Sequence, residues 1–153
     1  MVVAGGASRT ASVRAALAAV PADLDIVLVH DAARPLAPPE LVESVAAAVR
    51  SGADAVVPAL PIADTVKRVD DRDVVLDTVD RAALRTVQTP QGFRRAVLAE
   101  AHADASAEAT DDAGLVERLG MTVRTVPGDE RAMKITRPGD LVVAEALLAA
   151  DRR

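Results

Sequence analysis

The stretch Asp25-Ile26-Val27-Leu28-Val29-His30-Asp31-Ala32-Ala33-Arg34-Pro35 decides the fold. Its apolar run has no polar alternation. Strands covered on both faces read this way, as in a parallel sheet under helices. A polar turn with a proline follows at once. Downstream, Pro38-Pro39-Glu40 opens a helix to about Arg50, with proline in the first turn and Gly52 just past the end. Ala53 to Leu60 is a second strand of the buried kind, bounded by Pro58 and Pro61. Upstream, Met1 to Ala4 reads as a strand running into Gly5-Gly6, and a helix follows from about Ser12 to Val20, capped by Ser8 or Thr10. The alternation predicts an α/β fold, a parallel sheet with helices on its faces.

Residues 62–79 break the alternation. Thr65 to Val69 and Val74 to Val79 are β-prone and flank the polar turn Asp70-Asp71-Arg72-Asp73. This predicts an inserted hairpin arm. Two strands alone bury little, so the arm is expected to pack on something else, a second copy of the chain before an edge of its own sheet. Beyond it, Thr86 to Gln91 reads as a short strand and about Arg94 to Glu108 as a helix. Thr110-Asp111-Asp112 caps a further helix through Leu119, closed by Gly120. Met121 to Val126 is a strand, Lys134 to Thr136 a short extended piece, and Pro138 starts a helix to about Ala150. No repeat or linker interrupts residues 1–153, so they read as one domain with 62–79 as an arm within it.

Composition narrows the function. Half of the 153 residues are apolar and 27% are charged, enough for a packed core. No apolar run approaches the ~20 residues of a membrane span. No cysteine is present, which removes disulfides, thiolate metal sites and a thiol nucleophile. The net charge is −5 and Phe93 is the only aromatic residue, so a nucleic acid has neither a basic face nor a stacking platform to bind. Arginine outnumbers lysine sixteen to two, which singles out Lys67 and Lys134.

In open α/β sheets, ligands bind beyond the carboxyl ends of strands. Asp31 lies there, and a carboxylate in that place holds a divalent metal or closes an Asx turn. Arg34 supplies a cation or braces the turn, while Ala32 and Ala33 leave space. Gly5, Gly6, Arg9 and Ser12 form a strand-to-helix turn that lets backbone approach a ligand, without a phosphate-loop signature. Lys134 precedes the last helix as a point charge suited to a phosphate. Thr65 on the arm and Arg81 at its base are further candidates, although Arg81 can equally pair with Asp80. His30 reads as an anchor of the turn, and His102 as an exposed, inert helix residue. The serines, Ser106 among them, lack a nucleophile-elbow context.

Taken in order, seven segments carry a resemblance. They are Gly5 to Val13, Val29 to Pro35, Asp64 to Arg68, Thr78 to Arg81, Thr89 to Phe93, Thr110 to Asp112, and Met133 to Leu141. Together they resemble the 2-C-methyl-D-erythritol 4-phosphate cytidylyltransferases. That resemblance implies a Rossmann-like three-layer nucleotidyltransferase sheet of the nucleotide-diphospho-sugar transferase type. It implies a cytoplasmic homodimer, joined through the 62–79 arm, of the non-mevalonate isoprenoid pathway. The expected reaction joins CTP and methylerythritol phosphate, giving 4-diphosphocytidyl-2-C-methyl-D-erythritol and pyrophosphate. By resemblance, Asp31 holds Mg²⁺. Gly5, Ser12, Ala33 and Arg34 lie on the CTP side. Thr65, Arg81, Thr110 and Lys134 meet the second substrate, and Arg81 and Lys134 are the catalytic pair.

The departures set further expectations. The family's opening strand, its glycine-rich A-A-G-x-G-x-R loop and its P-K motif have no counterpart in these residues. The chain is therefore expected to be N-terminally truncated, marginal in solution, and weak or inactive as a transferase. Ala132 stands where many members carry asparagine. A non-catalytic remnant that still dimerises and a sugar-nucleotide pyrophosphorylase are the competing readings.

Overall fold

The computed structural model describes residues 1–103 and 109–151. Helix α1 (Arg9–Ala19) is capped by Ser8, whose hydroxyl accepts from the Ala11 N–H at 3.1 Å. The strand of the opening stretch, β1, is Ile26–Val29, and α2 is Pro39–Arg50 with Pro at its first position. Gly52 ends α2 at φ 109°, a left-handed conformation that glycine adopts without steric cost. Strand β2 spans Ala55–Pro61. The arm is β3 (Val66–Val69) paired with β4 (Val75–Val79), a separate two-stranded sheet. Then come β5 (Arg85–Val87), β6 (Gln91–Arg94), α3 (Arg95–Ala101), α4 (Asp112–Arg118), β7 (Val123–Pro127) and α5 (Pro138–Asp151). Residues 104–108, the far end of the helix expected to reach Glu108, lie outside the described residues, as does Ser106.

The expected all-parallel sheet is corrected to a mixed one. Strands β1, β2 and β7 share one direction, but β6 lies between β1 and β2, antiparallel to both. Strands β5 and β6 follow the same edge of β2, opposite β7. They are interrupted at Gln88-Thr89-Pro90, where the Thr89–Pro90 peptide is cis. Strand β6 escaped the sequence reading because Gln91-Gly92-Phe93-Arg94 has one strong strand former and one glycine. Burial explains it afterwards. Phe93 is fully buried on one face. On the other, a Cβ at Gly92 would come within 2.6 Å of Val45, so glycine lets α2 lie directly on the sheet. Met1 to Ala4 form no strand, in contrast to the expectation. An extended segment is stabilised by a paired neighbour, and these residues have none among those described.

Helices cover both faces. Val45, Val49, Ala53 and Val56 pack with Ile26 and Leu28 on the α2 side. Leu17, Phe93, Val97, Leu98, Leu115 and Val116 form the core on the other, against Val27 and Val29. The alternation of β1 between the two cores is the physical content of its unbroken apolar run. Among the described residues β1 is paired along one edge only, and its four residues are half-buried. Among the described residues no helix is long and apolar enough to cross a membrane.

Candidate functional site

Because β1, β2 and β7 point the same way, the segments that leave their carboxyl ends emerge on one side of the molecule. Those segments carry Asp31, the arm with Thr65 and Arg81, and Lys134, respectively.

Asp31 stands at the centre of a cation cluster, with its side chain 17% exposed. Lys134 Nζ is 3.1 Å from its Oδ2, Arg34 Nε is 3.8 Å from Oδ2, and Arg9 Nε is 3.7 Å from Oδ1. Burial alone pushes the Asp31 carboxyl up. The hydrogen bond and charge of Lys134, then the charges of Arg9 and Arg34, outweigh it and hold the group below the ordinary carboxylate value. Arg34 is the stiff member. Its Nη1 donates to the Ala132 carbonyl at 2.7 Å, and its burial pushes the guanidinium down against the pull of Asp31. Ala132 is buried and serves the site through its main-chain carbonyl. Ile135 N–H donates to the Ala33 carbonyl at 2.8 Å and ties the lysine segment to the Asp31 turn.

The turn itself is locked by His30 and Thr89. The Asp31 N–H donates to Thr89 Oγ1 at 3.0 Å, and His30 bridges Thr89 Oγ1 at 3.0 Å and the Arg34 carbonyl at 3.2 Å. A carbonyl only accepts, so Nε2 carries the proton in that bond. His30 is an anchor, as read from the sequence.

The sequence reading missed what Gln88, Thr89 and Gln91 do. Each is buried, and each ties down a different site-bearing loop. Gln88 pairs with both backbone polar groups of Asp129, at 2.8 and 3.0 Å, on the loop that leads to Lys134. Thr89 holds the Asp31 turn. Gln91 donates to Asp111 Oδ2 at 2.8 Å and accepts the Ala113 N–H at 3.2 Å, fixing the start of α4. Thr89 and Gln91 lie in a segment that carries the family resemblance, but nothing local in the sequence shows which loops they tie down.

His102 corrects the sequence reading too. It is buried, not exposed, and its Nε2–H donates to Asp112 Oδ1 at 2.9 Å. Asp112 Oδ2 lies 2.8 Å from Arg9 Nη1. Other candidates stand apart from Asp31. Ser12 accepts the Gly6 N–H at 3.0 Å and donates to the Ser8 carbonyl at 2.9 Å, so it closes the Gly5-Gly6 turn. Thr110 is exposed just before the Asp111 cap of α4. Thr65 is exposed on the arm, and Arg81 Nη1 donates to the Ala63 carbonyl at the arm's foot.

A three-layer α/β sheet whose co-directed strands deliver an acid and its cations at one end places the chain in the Rossmann-like nucleotidyltransferase class. Over residues 1–150 the sequence matches the 2-C-methyl-D-erythritol 4-phosphate cytidylyltransferase family, and the chain belongs to that family. It is 62% identical over 148 residues to the protein of that name from Frankia casuarinae, covering 97% of this chain and 56% of the relative. It is 55% identical over 158 residues to the one from Streptomyces coelicolor, covering 99% of this chain and 58% of that protein. The chain thus spans little more than half the length of these two relatives. The crystal structure of the Thermus thermophilus protein of the same name superposes with a TM-score of 0.86 at 48% identity, over 95% of this chain and 71% of that one.

Proposed function

We propose that the chain serves cytidylyl transfer from CTP to 2-C-methyl-D-erythritol 4-phosphate, giving the diphosphocytidyl product and pyrophosphate. The observation that carries this reading is the Asp31–Lys134–Arg34–Arg9 cluster beyond β1, in a chain of this family. Attack by one phosphate on another needs little covalent chemistry from the protein, so positioning and charge neutralisation do most of the catalysis.

Among the described residues no group of three or more carboxylates and histidines forms a metal cage. A magnesium ion that arrives on a triphosphate needs only one or two carboxylates and takes its other ligands from phosphate and water. Asp31 fits that demand. It is kept ionised, and Arg9 stands 3.7 Å from its Oδ1, beyond hydrogen-bond distance. Bound there, Mg²⁺ neutralises phosphate charge. Gly5, Ser12, Ala33 and Arg34 form the nucleotide side. Lys134, only half-covered, has ammonium hydrogens left for the second substrate's phosphate. Arg81, Thr65 and Thr110 meet that substrate too, with the arm of one subunit reaching the cluster of another. The exposed Val69, Val74, Val75 and Leu76 support an arm that packs on a second copy in a homodimer.

Calorimetric titration of Mg²⁺–CTP into the 153-residue chain tests the reading, with pyrophosphate release on adding methylerythritol phosphate as the activity readout. Saturable binding that prefers CTP to ATP and is lost in Asp31→Ala is expected. Equal binding by Asp31→Ala would overturn the assignment.

A further inference from the structure

Asp112 is a carboxylate with 1% of its side chain exposed, and the reaction proposed above gives it no task. A buried carboxylate is costly unless it is paired and hydrogen-bonded. Here Oδ1 is hydrogen-bonded, while Oδ2 is ion-paired without a hydrogen bond. His102, equally buried, donates to Oδ1, and Arg9 Nη1 stands at 2.8 Å from Oδ2. The same Arg9 extends its Nε to within 3.7 Å of Asp31, longer than a hydrogen bond. Arg9 therefore stands between a buried acid that it meets as a 2.8 Å ion pair, without hydrogen-bond geometry, and a more exposed acid that lies farther off. We infer that His102 and Asp112 are positioning residues that hold Arg9 beside Asp31, without letting it close on the carboxylate.

The parts come from separate elements, which makes the grip rigid. His102 ends α3, and Asp112 begins α4, where Gln91 of β6 fixes the neighbouring Asp111 and Ala113. Arg9 opens α1, and its side chain stays one-third exposed although Nη1 is buried. A long exposed arginine with one weak partner samples many rotamers, whereas one clamped by a desolvated carboxylate does not. Held short of Asp31, the arginine keeps positive charge next to the acid and leaves Oδ1 lone pairs for a ligand. Released, it either swings into solvent or collapses onto Asp31, and either outcome degrades a triphosphate site.

This inference rests on the CTP reading for its purpose but not for its geometry, and the test separates the two. On the 153-residue chain, ¹⁵N relaxation of the Arg9 Nε–H group reports the clamp directly. An order parameter near that of rigid backbone is expected. It should fall below ~0.6 in Asp112→Asn and in His102→Leu, and recover in His102→Gln, whose amide can replace the Nε2–H donor. Mg²⁺–CTP affinity should fall about tenfold in Asp112→Asn, with His102→Gln within about twofold of the unaltered chain. If Asp112→Asn does not fold, the His102→Leu and His102→Gln pair carries the same comparison. An Arg9 as mobile in the unaltered chain as in the variants would overturn the inference, as would one unmoved by them. An ordered Arg9 that loosens as expected, in a chain that binds no CTP, would uphold the clamp and sink the nucleotide reading instead.

Discussion

The Asp31 cluster and the 62–79 arm leave the same end of the sheet yet are built in opposite ways. Around Asp31, buried Gln88, Thr89 and Gln91 fasten three loops to the core, and Arg34 reaches across to a backbone carbonyl. The arm is held by its own β3–β4 pairing, by a Lys67–Thr78 hydrogen bond and by Arg81 at its foot, with four large apolar side chains exposed. A site that draws on both regions has one half set by the chain itself. The other half waits for a surface to settle on.

The largest expected effects attack the division of labour. Assayed in a chain extended by the family's opening glycine-rich loop, Lys134→Ala and Arg81→Ala should each lower kcat/KM for cytidylyl transfer ~10²–10³-fold, the scale for losing a positioned group that stabilises developing charge. Mixed in equal amounts, the two inactive variants should regain about a quarter of the unaltered activity, because mixed dimers hold one intact site. No recovery on mixing means that the arm serves its own subunit.

Stability should split the regions next. Gln91→Leu leaves Asp111 and the Ala113 N–H without their buried partner and should cost about 2–4 kcal/mol in urea unfolding. Leu76→Ser on the arm should change the same stability by under about 0.5 kcal/mol. Equal losses would erase the contrast between a fastened and an unfastened region.

A smaller effect concerns acid. The Asp31 carboxyl lies lower in the folded chain than in the unfolded one, where it titrates near ~3.9. Its contribution to stability is therefore complete above that value and is lost as pH falls through the lower folded value. Removing the nearest charge with Lys134→Met should raise the folded midpoint toward the ordinary range, read by ¹³C titration of the side-chain carboxyl. A midpoint that stays put would show that Arg9 and Arg34 alone set it.

Local signals in the sequence located the elements that end in punctuation. Gly52 and Gly120 closed helices, Ser8 and Asp111 capped them, and Asp70 with Asp73 turned the hairpin. Asp31, Arg34 and Lys134 were also legible, since an acid after an apolar strand and a lysine in an arginine-rich chain stand out locally. Strand β6, the burial of His102 and the roles of Gln88, Thr89 and Gln91 were not. Each depends on partners far along the chain, from Arg9 with Asp112 to Gln88 with Asp129.

The amino-acid order by itself determined that helices and strands alternate up to Pro61, where the elements closed by glycine or proline stop, and which charged residues have a strand end to work from. Those properties follow from side-chain size, backbone freedom and capping groups within a few residues. Only the tertiary structure decided that one strand runs against its neighbours, that a histidine is buried against a carboxylate, and that one arginine is divided between two acids. Burial fixes these choices, and burial is a property of what packs around a residue after distant segments have met.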